Sequence, residues 1–219
     1  MSYSGQVQVG GPADIRELAG ATIAKLAVGP MSNNAYLIRD RGTGQALLID
    51  AAAEADRLVE FAALGGAPAA AVLTTHQHQD HWQALAAVVA RTGARTLAGG
   101  ADAAGIPVPT DRRLQHGDTV HVGDLELQAI HLRGHTPGSI ALYYRDADGS
   151  QHLFTGDSLF PGGVGKTWAA ADFEQLVSDV SERIFDVYDD QVWFYPGHGD
   201  DSTLGAERAQ LAGWRERGW

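Results

Sequence analysis

The stretch THQHQDHW, residues 75–82, constrains this chain more than any other. It takes over at Thr75 from AAAVLTT, an apolar run that reads as a buried strand. Side chains alternate along extended backbone, so His76 and His78 point to the same side as the chain leaves the strand. Asp80 and His81 fall where it turns toward the helical pattern WQALAAVVARTG, and their side chains are free to diverge to a second point. Three imidazoles and a carboxylate this close repel one another if charged and left unpaired. A divalent cation resolves the conflict, because it selects neutral imidazole and ionised carboxylate. The chain contains no cysteine, so disulfides, thiol nucleophiles and Cys-based metal sites are excluded, and any metal must be held by His and carboxylate.

The same pattern of a strand ending in a metal-competent residue recurs. His135 lies in the glycine-flanked turn GHTPGS, Asp157 ends a strand in FTGDSLF, and His198 ends another in YPGHGD. Each places one ligand-type side chain on a loop held by a rigid strand. The segment FPGGVGKTW, residues 160–168, looks at first like the end of a phosphate-binding loop. That loop requires glycine where Phe160 stands, and Asp157 sits where a phosphate would lie, so no nucleotide is called for.

The elements between these motifs predict an α/β architecture. NAYLIRD and QALLID form a hairpin around Gly42 and Gly44, and AEADRLVEFAALGG is a helix stopped by Gly65 and Gly66. Strands follow at ARTLAG, at DTVHVGDLELQAIHL with a turn at Gly123 and Asp124, at SIALYYRD and at QHLFTG. DFEQLVSDVSERIFD is an amphipathic helix, QVWFYPG a strand, and a short closing helix covers about residues 203–217. The chain, with 219 residues of which 44% are hydrophobic and 20% charged, suits one domain, 1–219. The expected result is two mixed β-sheets with helices on their outer faces.

With these motifs in order, the chain resembles the metallo-β-lactamase superfamily. HQHQDH fits its H-x-H-x-D-H signature, Asp50 ending LLID fits its upstream strand-end aspartate, and His135, Asp157 and His198 supply the rest. The resemblance runs from about Asn34 to Gly199 and implies an αββα sandwich with the site along one edge of the two sheets. It further implies that His76, His78 and His135 bind one divalent ion, that Asp80, His81 and His198 bind the other, and that Asp157 bridges both, as in the glyoxalase II (hydroxyacylglutathione hydrolase) type. Zinc is the default ion for such a His-rich site, and iron and manganese accept the same ligands. Five neutral imidazoles, two carboxylates, two divalent ions and one hydroxide leave a centre near +1. That centre suits attack of a metal-bound hydroxide on an ester or thioester carbonyl, with Asp80 orienting the hydroxide and moving its proton. Asp50 is expected to hold a ligand histidine or loop rather than bind metal itself. By the same resemblance GDSLFPGGVGKTW is a substrate loop, with Lys166 and Trp168 facing the distal portion of the substrate and Lys166 pairing with a carboxylate. Phe160 is expected to line the cavity wall.

Several departures bear on the substrate. Val164 stands where glyoxalase II enzymes usually carry Cys, Asp200 where they often carry Tyr, and only about twenty residues follow His198, which weakens a glutathione assignment. Phe160 occupies the position of a tyrosine used by acyl-homoserine lactonases, against a lactonase. A one-iron persulfide dioxygenase, using the residues matching His76, His135 and Asp157, is the alternative of different chemistry, and a phosphoesterase shares the fold. The net charge of −11 lacks any offsetting basic cluster and disfavours nucleic acid. The expected partner is therefore a small-molecule substrate, with no membrane span and no secretory signal, hence a cytoplasmic protein. His116, His121, His131 and His152 are read as surface or internally satisfied histidines, and Trp214 and Trp219 as anchors of the last helix.

Overall fold

The computed structural model describes residues 3–218. The first sheet contains β1 (Asp14–Glu17), β2 (Ala21–Val28), β3 (Asn33–Asp40), β4 (Ala46–Ile49), β5 (Ala71–Thr74), β6 (Arg95–Gly99) and β7 (Arg112–Leu114), side by side in chain order. Pairing is antiparallel from β1 to β4 and parallel from β4 to β7. The second sheet takes β8 (Thr119–Val122), β9 (Leu125–His131), β10 (Ile140–Arg145) and β11 (Gln151–Gly156). After a two-stranded hairpin, β12 (Leu159–Phe160) and β13 (Gly163–Val164), it is completed by β14 (Trp193–Pro196) and β15 (Ser202–Thr203). Its order is β15-β14-β11-β10-β9-β8, with β11 and β14 parallel.

Three apolar layers hold the sheets and helices together. In β4, Leu47 and Ile49 face inward, against Leu127, Leu142 and Phe154 of the second sheet, while Leu48 faces out. Outside the first sheet lie α1 (Ala55–Ala62) and α2 (Leu85–Thr92), which contribute Leu58, Phe61, Leu85 and Val88. Outside the second lie α3 (Ala170–Val180), α4 (Leu204–Arg208) and α5 (Leu211–Arg217), with Phe173, Leu176, Leu204 and Trp214. Both faces of the central strands are thus buried, and their sequences are continuous apolar runs rather than alternating ones. The layering is the expected αββα sandwich.

Some elements differ from expectation. The closing helix is two helices broken at Ala209 and Gln210, and Thr203 caps the first by accepting the Ala206 N–H at 3.3 Å. The helix after the HQHQDH motif starts only at Leu85, since Gln79–His81 forms a single 3₁₀ turn first. The helix beginning at Ala170 passes into a π-helical turn, Ser181–Phe185. Strands β1, β2, β7, β12, β13 and β15 are not among those the sequence pattern predicts. Trp214 is buried against Phe185, as expected of an anchor, and Trp219 lies outside the described residues. Among the described residues no helix is long and apolar enough to cross a membrane.

Candidate metal centre

Four strand ends on one edge of the sandwich deliver the side chains of interest. Asp50 follows β4, residues 76–81 follow β5, Asp157 follows β11 and His198 lies just past β14. β4 and β5 are parallel neighbours, as are β11 and β14, so their carboxyl ends open on the same side. His135 joins them from the loop between β9 and β10.

Three overlapping groups form there: His76, His78 and His135; His76, His81 and Asp157; and Asp80, His81 and His198. His76 Nε2 lies 3.1 Å from His78 Nδ1 and 3.3 Å from His135 Nε2. Asp80 Oδ2 is 3.4 Å from His81 Nε2 and 3.3 Å from His198 Nε2. Asp157 stands between the groups. Its Oδ1 is 3.4 Å from His81 Nε2, and its Oδ2 is 3.5 Å from His198 Nε2 and 3.8 Å from His135 Nε2.

The outward nitrogen of four rings is fixed by an acceptor. His81 Nδ1 donates to Asp50 Oδ2 at 2.8 Å, His135 Nδ1 to the Lys166 carbonyl at 2.7 Å and His198 Nδ1 to the Met31 carbonyl at 3.1 Å. His76 Nδ1 is 3.0 Å from Thr75 Oγ1, whose own proton goes to Asp50 Oδ2 at 2.8 Å, so the ring donates there as well. These partners place one proton on Nδ1 and turn each Nε2 inward, where its lone pair is available to a cation. His81 Nε2 and Asp157 Oδ1 are buried and make no hydrogen bond among the described residues. Lone pairs converging in this way repel unless a cation sits among them, and the donor set fits divalent metal.

Burial sets the electrostatics before any ion binds. His76 is pushed well below the ordinary histidine range by burial and then by the neighbouring imidazoles. Burial acts the same way on His81, but the Asp50 and Asp157 carboxylates outweigh it and hold that ring above its usual range. Burial would raise the Asp80 carboxyl; His198, His81 and the Asn33 amide, which donates to Asp80 Oδ2 at 2.8 Å, carry it below.

Two glycines permit the close packing. A Cβ at Gly197 would run into Asp157 Oδ1 and His81 Cε1, and one at Gly165 into the Asp157 carbonyl and His135 Nδ1. Gly165 thus explains the glycine before Lys166 without any phosphate.

Of the remaining expected site residues, Trp168 lines a cavity of about 470 Å³ beside the cluster, together with Gln77, His78, His135 and Gln175 among others. The exposed Trp168 ring stands 5.3 Å from His78 and 5.7 Å from His135, centroid to centroid. Lys166 is exposed, with Nζ 6.0 Å from the Trp168 ring centre. Phe160, half-buried in the β12–β13 hairpin, is not among the residues lining that cavity. Asn33, Met31 and the Lys166 carbonyl were missed in the sequence, since a main-chain acceptor carries no residue signature and Asn33 reaches the site only through tertiary pairing with His198.

The model of the metallo-beta-lactamase superfamily matches residues 28–199. The chain belongs to that superfamily. Among its relatives is a hydroxyacylglutathione hydrolase of Fuscovulum blasticum, 38% identical over 67% of this chain and 55% of that protein. The chain spans about half the length of the first curated relatives it matches. Solved superfamily structures cover it more fully. ETHE1 from Myxococcus xanthus superposes with a TM-score of 0.72 at 32% identity, over 89% of this chain and 86% of that one. TTHA1623 in a di-iron-bound form gives 0.69 at 30%, over 84% and 96%.

Proposed function

We propose that this superfamily member is a binuclear metal-dependent hydrolase acting on a small acyl ester or thioester. The observation that carries the reading is Asp157, whose two oxygens face different parts of the cluster, Oδ1 toward His81 and Oδ2 toward His198 and His135. Under this reading His76, His78 and His135 hold one ion, Asp80, His81 and His198 the other, and Asp157 both. Two divalent ions, zinc by default, supply Lewis acidity for a carbonyl and hydroxide at neutral pH. The kinship with a hydroxyacylglutathione hydrolase and with a di-iron-bound structure supports both the thioester chemistry and two metals.

The chain's own residues do the rest. Asp80 is held ionised by His198, His81 and the Asn33 amide, the last of which also orients it, ready to accept a proton and return it to a leaving group. Trp168 gives the acyl or thiol portion an apolar wall beside His78 and His135. Lys166 offers an exposed ammonium at the rim for an anionic tail.

Metal content and turnover together test the reading. Protein purified without chelator should carry about two divalent ions per chain and hydrolyse an acyl thioester without oxygen. His78→Ala and Asp80→Ala should abolish that turnover while the protein stays folded. One iron per chain, with oxygen uptake on a persulfide and no hydrolysis, would replace it with the dioxygenase alternative.

A further inference from the structure

Asp102 has no part in the cluster, yet it touches two of the loops that build it. It sits just after β6 and is completely buried. Its Oδ2 accepts the Gln77 amide N–H at 2.9 Å, between His76 and His78, and the Thr136 hydroxyl at 2.5 Å, one residue after His135. Its Oδ1 accepts the Gly138 amide N–H at 2.6 Å. A carboxylate only accepts, so Thr136 must donate to it, and Ser139 Oγ, 2.5 Å away, must in turn donate to Thr136. The His135 loop and the segment after β6 that carries Asp102 also touch through backbone, for a Cβ at Gly138 would collide with the Asp102 amide and one at Gly99 with the Gly138 carbonyl.

We propose that Asp102 is a positioning residue that holds the His76–His78 loop and the His135 loop in register, so that these three imidazoles converge on one ion. The proposal rests on the reading of those histidines as metal ligands. The three donors come from two loops that belong to different sheets, and among the described residues no other side chain from outside the two loops hydrogen-bonds to both. An amide in its place would offer N–H where at least one of the Gln77 and Gly138 donors needs an acceptor. The loops would then shift relative to each other. Asp80, His81 and His198 have no hydrogen bond to Asp102, so their side of the cluster should be spared.

Zinc titration of the metal-stripped protein against a chromophoric chelator tests this on D102N, with H78A and H198A marking which binding step belongs to which group. Affinity at the His76, His78 and His135 group should fall by about 10–100-fold while the step lost in H198A stays near wild type. Equal loss at both steps would show a merely structural role and overturn the proposal, as would no loss at either. Should D102N fail to fold, T136V, which removes one donor and keeps the shape, carries the same test with the same two outcomes. A wild-type protein that binds two ions but hydrolyses no acyl thioester would sink the proposed function and leave this inference standing.

Discussion

His135 donates its Nδ1 proton to the main-chain carbonyl of Lys166 at 2.7 Å, so the GGVGKTW loop fixes a ring of the metal cluster through backbone rather than side chain. The lysine side chain is left exposed and free for another task. Lys166→Ala should therefore leave metal content intact. If the ammonium clamps an anionic tail, KM for anionic acyl thioesters should rise several-fold, by about 1 kcal/mol, with neutral substrates unaffected. Parallel kinetics on a charged and an uncharged substrate decide it, and equal effects on both would remove Lys166 from the site.

Asp50 holds His81 by Nδ1 and also accepts the Thr75 N–H at 2.7 Å and its hydroxyl at 2.8 Å. It does so from a left-handed backbone, φ 59°, at the end of β4, a conformation that Asp tolerates better than most residues. Asp50→Asn must turn an N–H toward one of these donors. Affinity for the ion at Asp80, His81 and His198 should drop by about 10–100-fold. Competition titration with zinc measures it, and an unchanged second binding step would contradict the role.

The seven metal-competent residues were legible in sequence because few side chains bind metal, four of them crowd into the short HQHQDH motif past β5, and the other three lie in glycine-containing turns close to strands. What escaped was held by partners far apart in the chain. In β2, ATIAKLAV reads poorly as a core strand because of Lys25, yet that lysine is fully buried. Its three protons go to the Gly5 carbonyl, the Gly199 carbonyl and Asp201 Oδ1, and two of those acceptors lie more than 170 positions away. Asp102 was invisible for the same reason. Asp200, which stands where glyoxalase II enzymes often carry tyrosine, accepts from Gln6 Nε2 at 3.0 Å, another long-range contact no spacing could signal.

Lys25 bears on the site because Gly199 follows His198 directly. Lys25→Met would strand the buried Asp201 carboxylate, with Tyr3 OH as its remaining donor at 2.5 Å. Removing one partner of a buried pair typically costs about 3–5 kcal/mol. Denaturant unfolding should show that loss in K25M and partial recovery in K25M/D201N, where no charge is left unpaired. Additive losses in the double variant would mean the pair is not coupled.

His152 gives the fold a pH dependence of its own, well away from the metal cluster. The ring is buried between Ser150 Oγ at 3.1 Å and Tyr195 OH at 2.9 Å, and burial together with the nearby Arg16 pushes it down to about 4 from 6.5. In the unfolded chain it takes a proton near 6.5, so between these values the unfolded state binds more protons and stability falls as pH falls. The contribution is complete above the unfolded value and is lost on the way down to the folded one; by pH 5 the loss amounts to roughly 2 kcal/mol. The histidines of the cluster have shifted proton affinities of their own, so the measurement is a difference, made on metal-stripped protein, between wild type and His152→Gln from pH 8 to pH 5. Wild type should lose stability relative to the variant as the pH drops. A gap that stays constant across that range would mean the ring keeps an ordinary proton affinity despite its burial.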